Sequence, residues 1–327
     1  MKTRLYVFMG LGCEYVLSPL VDFLRSRQCE CIGIDLMSIA FSLSDWKRLA
    51  KREIIFITSS HLERGNERIQ LLSKSAASRY ISDILPPLEL LDILKPIKSI
   101  YIPHDLTTPL GCYEWKFIDQ FDLFFNPISF FSVYSGLTEI KEMGWIKYAP
   151  SIKTLPSDFV PRKKIIFVSI FEHLQDFYGL KGLFQYFEPL LDEDTAIKFP
   201  LWDNHKEVEA YFKKNSVAQV CEAHWNSIEI IKCFDIVISN HVSSTLMEAV
   251  FLNKKVVCLE SDIATPHPHY QRSFLGHLPN LEFFPYFVPK TISSINSYLE
   301  SKVLKRLTPE EMLKPFDFSQ AYELITA

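Results

Sequence analysis

The sequence predicts an α/β protein built from two Rossmann-like domains that face one another across a cleft. Two observations support this prediction: apolar runs alternate with stretches of helical periodicity, and the alternation restarts after a proline-rich segment near mid-chain. A chain of 327 residues is also long enough for two domains. We expect an N-terminal domain at 1–155, a C-terminal domain at 156–300, and C-terminal helices at 301–327 that pack back on the first domain.

The first half of the chain shows short β-rich apolar runs separated by stretches such as 67–85, which has helical period. Parallel strands need long crossover connections, and helices usually supply them. The pattern therefore predicts a parallel sheet wrapped by helices. Its strands are expected at Leu5–Met9, Cys31–Ile34, Ile54–Thr58, Ser99–Ile102 and Leu123–Phe125.

A break in this pattern comes at APSIKTLPSDFVPRKK, residues 149–164, which carries three prolines and ends in a basic cluster. Such a composition is typical of a linker between domains. After it, strands and helices alternate again. The predicted strands are 165–171, 195–200, 217–222, 235–240 and 256–260, and the predicted helices are 179–191, 205–215, 226–234 and 244–252.

Composition excludes some classes of protein. The formal net charge of −4 gives no whole-chain basic field, so nucleic acid is not an expected partner. Seven cysteines, odd in number and scattered through apolar runs, suit buried thiols in a reducing compartment. The sequence thus predicts a cytoplasmic protein. An exposed aromatic face with nearby lysines would also suit peripheral docking at the inner face of a membrane.

The segment SSTLMEAVFL follows the predicted strand at 235–240 and places hydroxyl residues at the start of a helix. Ser243, Ser244 and Thr245 lie at the N-cap or in the first turn. Hydroxyls and backbone amides at a positive helix end suit an anionic group such as a diphosphate. The alternative is that Ser243 only caps the helix. Glu248, one turn after Ser244, could reach a ribose hydroxyl, or could be a solvated or capping carboxylate.

A second candidate lies in SIYIPHDLTTPLG, residues 99–111, where a predicted strand ends at Pro103. His104 and Asp105 would then stand at the carboxyl edge of the first sheet. A neutral histidine can take a proton from a hydroxyl nucleophile, and a neighbouring carboxylate can orient it. A purely structural role for His104 is the alternative.

Other residues at predicted strand ends are also candidates. Gly10 and Gly12 lack the third glycine of a dinucleotide fingerprint, which disfavours NAD, but they would let an acceptor approach the backbone closely. Glu172 and His173 are expected in a loop at a strand end, where they could bind phosphate or move a proton, or simply be polar loop residues. The acidic run at 192–194 follows a helix in a surface turn, so neither a metal nor a cofactor is expected.

Together these stretches resemble a GT-B-fold glycosyltransferase, and most closely the CDP-glycerol glycerophosphotransferase and bacterial sialyltransferase-like enzymes of surface-polymer synthesis. In the former, a strand leads to His-Gly-Thr-Pro-Leu, and PHDLTTPLG keeps His104 and, with extra residues between, the Thr-Pro-Leu at 108–110. In both groups a late D-[IV]-[LIV]-I-[ST]-x-x-S-S segment binds the donor phosphates. The run DIVISNHVSS is similar, with one more residue before Ser243 and Ser244.

The resemblance implies a glycosyltransferase, or polyol-phosphate transferase, that moves a nucleotide-activated sugar to a hydroxyl of a surface glycan such as capsule, lipopolysaccharide or teichoic acid. The C-terminal domain would bind a CMP-, CDP- or UDP-linked donor. The N-terminal domain would present a glycan or lipid-linked acceptor, with His104 as the base. No metal would take part.

The chain departs from both groups at one motif. They carry a His-Pro pair at the end of an earlier strand of the C-terminal domain, whereas Phe199 precedes Pro200 here. His205 could replace that histidine if its loop folds back. Two alternatives therefore stay open: a UDP-sugar 2-epimerase-like enzyme, and a non-catalytic GT-B-fold partner of an active transferase.

Overall fold

The computed structural model contains two compact units, which we describe separately. One unit comprises Met1–Ala149 with Leu313–Ala327, and the other comprises Pro150–Met312. The functional domain limits expected at 155 and 300 stay predictions. The structure describes residues 4–10, 16–35, 48–59, 87–103, 106, 118–128, 136, 138–149, 154–169, 171–201, 204–260, 278, 280–285 and 289–327.

The described part of the first unit contains a six-stranded parallel sheet in the order β2-β1-β3-β4-β5-β6. This order extends the flavodoxin-like arrangement, whose order reverses between the first and third strands. Five of the strands lie where the sequence predicts them. The sixth, EIKE, is charged and partly exposed, so its composition gives no strand signal. The strands are β1 (Arg4–Gly10), β2 (Cys31–Asp35), β3 (Glu53–Thr58), β4 (Lys98–Tyr101), β5 (Leu123–Asn126) and β6 (Glu139–Glu142).

Helices α1 (Ser18–Ser26) and α2 (Pro87–Leu94) belong to this unit. Proline at the second residue of α1 suits the first turn of a helix, where no intrahelical partner for an amide is needed. Leu20 and Leu24, one turn apart, bury one face of α1. The central strands β1 and β3 are apolar along most of their length, as expected for strands covered on both faces.

The second unit also holds a six-stranded parallel sheet, in the order β12-β11-β10-β7-β8-β9. Read from the other edge, this is the 3-2-1-4-5-6 order of dinucleotide-binding folds, which reverses between β7 and β10. The prediction of two Rossmann-like domains is therefore confirmed. The strands are β7 (Lys164–Phe167), β8 (Thr195–Lys198), β9 (Gln219–Cys221), β10 (Ile236–Ser239), β11 (Lys255–Glu260) and β12 (Leu281–Pro285).

The helices of the second unit follow the sequence prediction with one correction. The predicted bounds of α4 match the structure, and those of α5 and α6 agree within two residues. The long helix α3 instead begins at Phe171, eight residues early, and includes a non-helical Gly179 at φ +69°. The described helices are α3 (Phe171–Phe187), α4 (His205–Asn215), α5 (Ser227–Lys232), α6 (Ser244–Phe251) and α7 (Pro289–Ser301).

This correction moves two candidate residues. Glu172 and His173, expected in a loop, lie in the first turn of α3. Gly179 adopts a left-handed conformation that interrupts the helical geometry. The interruption divides the helix into two short stretches.

The core of the second unit lies between the sheet and α3, α4 and α7. Phe199, just after β8, is 1% exposed and contacts Phe212 edge-on, with ring centroids 4.8 Å apart. It therefore fills the core and not the site. Other buried members of this cluster are Ile166, Leu183, Phe187, Ile197, Val208, Ile238, Val257 and Ile295.

A C-terminal segment returns to the first unit. Gly144 has φ +79°, and a Cβ atom there would lie 2.2 Å from the carbonyl oxygen of Pro315, so only glycine allows this close approach. The Trp145 amide donates to the Lys314 carbonyl at 2.9 Å. Beyond this contact, helix α8 (Phe318–Thr326) packs on α1. No described helix is both long enough and apolar enough to span a membrane.

Candidate functional site

At the carboxyl edge of the second sheet, a buried side-chain amide links the ends of the two strands between which the strand order reverses. Asn240 follows β10 and is 1% exposed. Its Oδ1 accepts a hydrogen bond from the Ser169 amide at 2.7 Å, and its Nδ2 donates to the Ser169 carbonyl at 2.6 Å. Because Ser169 follows β7, this pair holds together the ends of the two strands between which open α/β sheets bind ligands.

The N-terminus of α6 lies at the same edge. Ser243 is its N-cap, with extended backbone and a side-chain Oγ that accepts from the Leu246 amide at 3.3 Å. Ser244 and Thr245 are the first two helical residues, and both are partly exposed. The capping role considered for Ser243 is thus present. Capping uses one side chain, whereas several first-turn amides still lack intrahelical acceptors, so phosphate binding by these three residues stays a prediction.

Glu248 lies in the second turn of α6 and is fully buried. Its Oε2 accepts from the Ser227 hydroxyl at 3.1 Å, and its Oε1 accepts from the Ser244 hydroxyl at 3.5 Å. The alternative of a solvated carboxylate is wrong, because the side chain has no exposed surface. Glu248 connects the starts of α5 and α6, and its contact with ribose stays a prediction.

A buried lysine, which the sequence reasoning missed, lies at the same edge. Lys198 is the last residue of β8 and is 7% exposed. Its Nζ donates to the carbonyls of Ala223 at 2.6 Å and Phe199 at 3.4 Å. The amide of Ala223 in turn donates to Oε1 of Glu209, on α4, at 2.9 Å. Lysine is rarely buried without partners, and its place between apolar Ile197 and Phe199 was the available signal.

Burial and nearby carboxylates have opposite effects on the pKa of Lys198. Burial lowers the pKa of Lys198 to about 8, although the Glu209 and Glu248 carboxylates act to raise it. The pKa of Cys221 is raised to about 12, mainly by burial, so this thiol is neutral. Lys198 therefore loses its proton far more easily than an exposed lysine does.

The start of the described linker is fixed to α5. Asn226 caps this helix, and its Oδ1 accepts from the Glu229 amide at 3.1 Å. The Glu229 carboxylate accepts from the Thr154 amide at 2.6 Å and the Thr154 hydroxyl at 2.8 Å. Thr154 is thereby held against the helix that begins with Ser227.

Several candidate residues cannot be placed within the site. His104, Asp105 and Gly12 lie outside the described residues, as do the side chains of Glu172 and His173. Gly10 ends β1 beside the order reversal of the first sheet. His205 is the first residue of α4. The predicted roles of all seven residues therefore stay predictions.

The acidic run at 192–194 lies away from this edge. Asp192 precedes β8, at the amino end of the sheet, and accepts hydrogen bonds from Lys164 Nζ at 2.8 Å and Thr195 Oγ1 at 2.5 Å. Burial raises the pKa of Asp192, but hydrogen bonds from Lys164 and Thr195 outweigh this and lower it overall. Across the described ranges, no group of three or more histidine, cysteine or acidic side chains could hold a metal ion.

The first sheet has polar atoms of another kind at its carboxyl edge. Ser59, directly after β3, is fully buried, and Asn126, the last residue of β5, is 2% exposed. Within the described part of the chain, neither the Ser59 Oγ nor the Asn126 Oδ1 has a hydrogen-bond partner. Such buried atoms need an explanation, because leaving them unpaired costs free energy.

No family model matches this chain, and no curated protein is similar to it in sequence. Solved structures are similar over nearly its whole length. MnaA of S. aureus, in complex with UDP, has 12% identity, a TM-score of 0.52, and coverage of 92% of this chain and 89% of its own. MurG of Acinetobacter baumannii has 10% identity, a TM-score of 0.51 and 99% coverage of both chains.

The spinosyn forosaminyltransferase SpnP has 12% identity, a TM-score of 0.51 and 90% coverage of both chains. Together with the strand orders, these similarities decide the fold. The chain has a GT-B-like fold. At such low identities the similarity shows the fold alone, so the narrower resemblance to CDP-glycerol glycerophosphotransferases and sialyltransferase-like enzymes stays a prediction.

Proposed function

We propose that this protein is a glycosyltransferase, or a polyol-phosphate transferase, that moves a nucleotide-activated sugar to a hydroxyl of a surface glycan such as capsule, lipopolysaccharide or teichoic acid. The observation that supports this best is the N-terminus of α6 at the order reversal of the second sheet, beside the bridge between Asn240 and Ser169. Open α/β sheets bind ligands at this position.

The donor chemistry follows from the start of α6. Its first-turn amides and the hydroxyls of Ser243, Ser244 and Thr245 would bind the diphosphate of a CDP- or UDP-linked donor, or the phosphate of a CMP-linked one. As the sugar leaves, negative charge grows on this phosphate, and the positive helix end stabilises it. Glu172 and His173, at the start of α3, are further candidates for donor contact. MnaA supports this proposal, since a protein of similar fold accommodates UDP.

The acceptor chemistry is assigned to the first unit. His104 would take the proton of the acceptor hydroxyl, with Asp105 orienting the ring. With a sugar donor, the acceptor oxygen would bond to the sugar as the bond between the sugar and the nucleotide phosphate breaks, leaving the free nucleotide. With a polyol-phosphate donor, it would bond to the outer phosphorus as the bond between the two phosphates breaks, leaving the nucleoside monophosphate. Gly10 and Gly12 would let the acceptor approach the backbone. The mechanism needs no cofactor or metal, and a lipid-linked acceptor would bring the protein to the membrane surface.

Calorimetric titration of the full chain with CMP, CDP and UDP tests the donor class. We expect one of them to bind, and Ser244→Ala to weaken that binding about tenfold. Ser301→Ala is the matched control, because Ser301 is an exposed serine at the far end of α7 in the same unit. If the wild-type chain binds none of the three nucleotides, the donor assignment is wrong and a non-catalytic partner becomes the better hypothesis.

A second assay separates transfer from epimerisation. UDP-GlcNAc is incubated with the wild-type chain alone, and the products are resolved by NMR. We expect no 2-epimer, because the proposal assigns no group that removes a proton from the sugar carbon. Appearance of the epimer without any acceptor would overturn the transferase proposal in favour of the epimerase alternative.

A further inference from the structure

Lys198 joins loops at the carboxyl edge of the second sheet. Its ammonium group donates to the carbonyl of Ala223, in the loop between β9 and α5, and Glu209 holds the amide of the same residue. Both the carbonyl and the amide of Ala223 are thus hydrogen-bonded to side chains. Four residues later the chain reaches Ser227, whose hydroxyl donates to Glu248.

Glu248 links Ser227 to the candidate donor site through its second carboxylate oxygen. It also accepts from the hydroxyl of Ser244, the first residue of α6. A continuous path therefore runs from Lys198 through the 222–226 loop, Ser227 and Glu248 to Ser244. Glu222 and His224 in the loop are exposed, whereas Lys198, Glu209 and Glu248 are each at most 8% exposed. Low exposure strengthens the electrostatic interactions between these groups.

When protonated, Lys198 offsets part of the negative charge of two nearby buried carboxylates. The charged groups that interact with it electrostatically are Glu209 on α4 and Glu248 on α6, whereas the thiol of Cys221 on β9 is neutral. One cation faces two carboxylates. If Lys198 loses its proton, its hydrogen bond to the Ala223 carbonyl is no longer charge-assisted and its attraction to the two carboxylates is lost, which weakens the contact that fixes the loop.

We propose that Lys198 is a positioning residue for the nucleotide donor, and that as a cation it fixes the 222–226 loop and Glu248 so that the start of α6 is held ready for the donor phosphate. This inference rests on the proposed function. It assigns Lys198 no contact with the reacting atoms and makes donor affinity depend on the charge of a side chain that the donor does not touch.

Donor affinity should therefore depend on pH. Because the pKa of Lys198 is lowered to about 8, the side chain is mostly charged at about pH 7.5 and mostly neutral at about pH 9. Apparent affinity scales with the fraction of protein in the competent state. Between these two pH values, the affinity for the donor nucleotide should fall by up to about eightfold.

The test uses CDP and UDP as probes, with calorimetric titrations at about pH 7.5 and about pH 9. Lys198→Arg keeps a charge that cannot be removed in this range, so its affinity should stay near the wild-type value at the lower pH and remain flat. Lys198→Met should bind at both pH values as weakly as the wild type does at about pH 9.

Lys254→Met is the matched control. Lys254 follows α6 and precedes β11, at the opposite edge of the same sheet, and its Nζ donates to the carbonyl of Lys232 at 3.2 Å. Burial also lowers its pKa. Lys254 thus resembles Lys198 in that burial lowers its pKa, but it is remote from the 222–226 loop. Its replacement should therefore leave both the donor affinity and the pH dependence of that affinity as in the wild type.

The outcomes separate the two proposals. If wild-type protein binds neither nucleotide, the CDP- and UDP-linked donor classes and the role of Lys198 both fail. If it binds with an affinity that does not change over this pH range, or if Lys198→Met binds as tightly as Lys254→Met does, the role of Lys198 fails alone. Should Lys198→Met not fold, the wild-type profile and the flat profile expected of Lys198→Arg decide the matter.

Discussion

The carboxyl edges of the two sheets differ in how their buried polar groups are bonded. At the second sheet, Asn240, Glu248 and Lys198 all form hydrogen bonds to neighbouring loops and helices. At the described edge of the first sheet, the Ser59 hydroxyl and the Asn126 carbonyl oxygen have no such partner. An edge whose groups already bond one another keeps its shape without a ligand, whereas unpaired groups gain from a ligand or a water.

The difference accords with the two strand orders. The second sheet follows the dinucleotide-binding order and the first the flavodoxin-like order, and each has its own reversal point, between β7 and β10 and between β1 and β3. In the described residues, a side-chain bridge is present only at the reversal point between β7 and β10, where Asn240 bonds Ser169.

The largest expected effect concerns His104, which follows β4 in the first unit. If His104 is the base that we propose, His104→Ala should lower turnover about a thousandfold, because the acceptor hydroxyl would lose its proton acceptor, and should leave donor affinity unchanged. Initial rates with donor and glycan acceptor, together with nucleotide titration, measure the two quantities. Asp105→Asn should cost less, since Asp105 acts through His104. Normal turnover in His104→Ala would remove the base from the first unit and end the division of roles between the edges.

The next effect concerns the bridge of the second sheet. Asn240→Ala removes two hydrogen bonds and leaves the partly buried amide and carbonyl of Ser169 without these partners, which should lower the free energy of unfolding by about 2 kcal/mol. Denaturant unfolding of the full chain measures the loss. Asn126→Ala is the counterpart at the first sheet and should cost clearly less, because its Oδ1 has no partner in the described residues to lose. Equal costs would mean that the bridge does not distinguish the two edges.

A smaller effect is expected at the cap of α6. Ser243→Ala should lower the free energy of unfolding by about 1 kcal/mol, because the Leu246 amide loses its acceptor. Ser243→Asp keeps a capping oxygen and should restore stability, while its negative charge should repel the donor phosphate and weaken nucleotide binding. Thermal unfolding and nucleotide titration of both variants separate the two roles. Wild-type donor affinity in Ser243→Asp would argue against phosphate at this helix end.

Local patterns in the sequence predicted elements well where a single pattern covers the whole element. The bounds of α4, His205–Asn215, follow from an uninterrupted amphipathic run, and the central strands follow from continuous apolar runs. The prediction failed where a local signal was weak or divided. β6 is charged, and α3 contains Gly179 in a left-handed conformation.

The site was harder to predict, because its contacts join residues far apart in the chain. The start of α6 could be predicted from hydroxyls that follow a strand. The bridge from Asn240 to Ser169 links positions 71 residues apart, and the bond from Ser227 to Glu248 spans 21. No spacing rule for a single element connects such positions. Lys198 could have been noticed as a charge inside an apolar run, but its partners depend on how β8, β9 and α4 pack together.

The smallest expected effect tests the comparison most directly. Ser59 and Ser239 are both fully buried at the carboxyl ends of strands beside an order reversal. The Ser239 hydroxyl donates to the His241 carbonyl at 3.0 Å, so Ser239→Ala should cost about 1 kcal/mol. The Ser59 hydroxyl has no partner in the described residues, so Ser59→Ala should change the free energy of unfolding by less than about 0.5 kcal/mol, or raise it. Unfolding curves of the two variants would contradict this view if both lost the same stability, because the first edge would then be as fully bonded as the second.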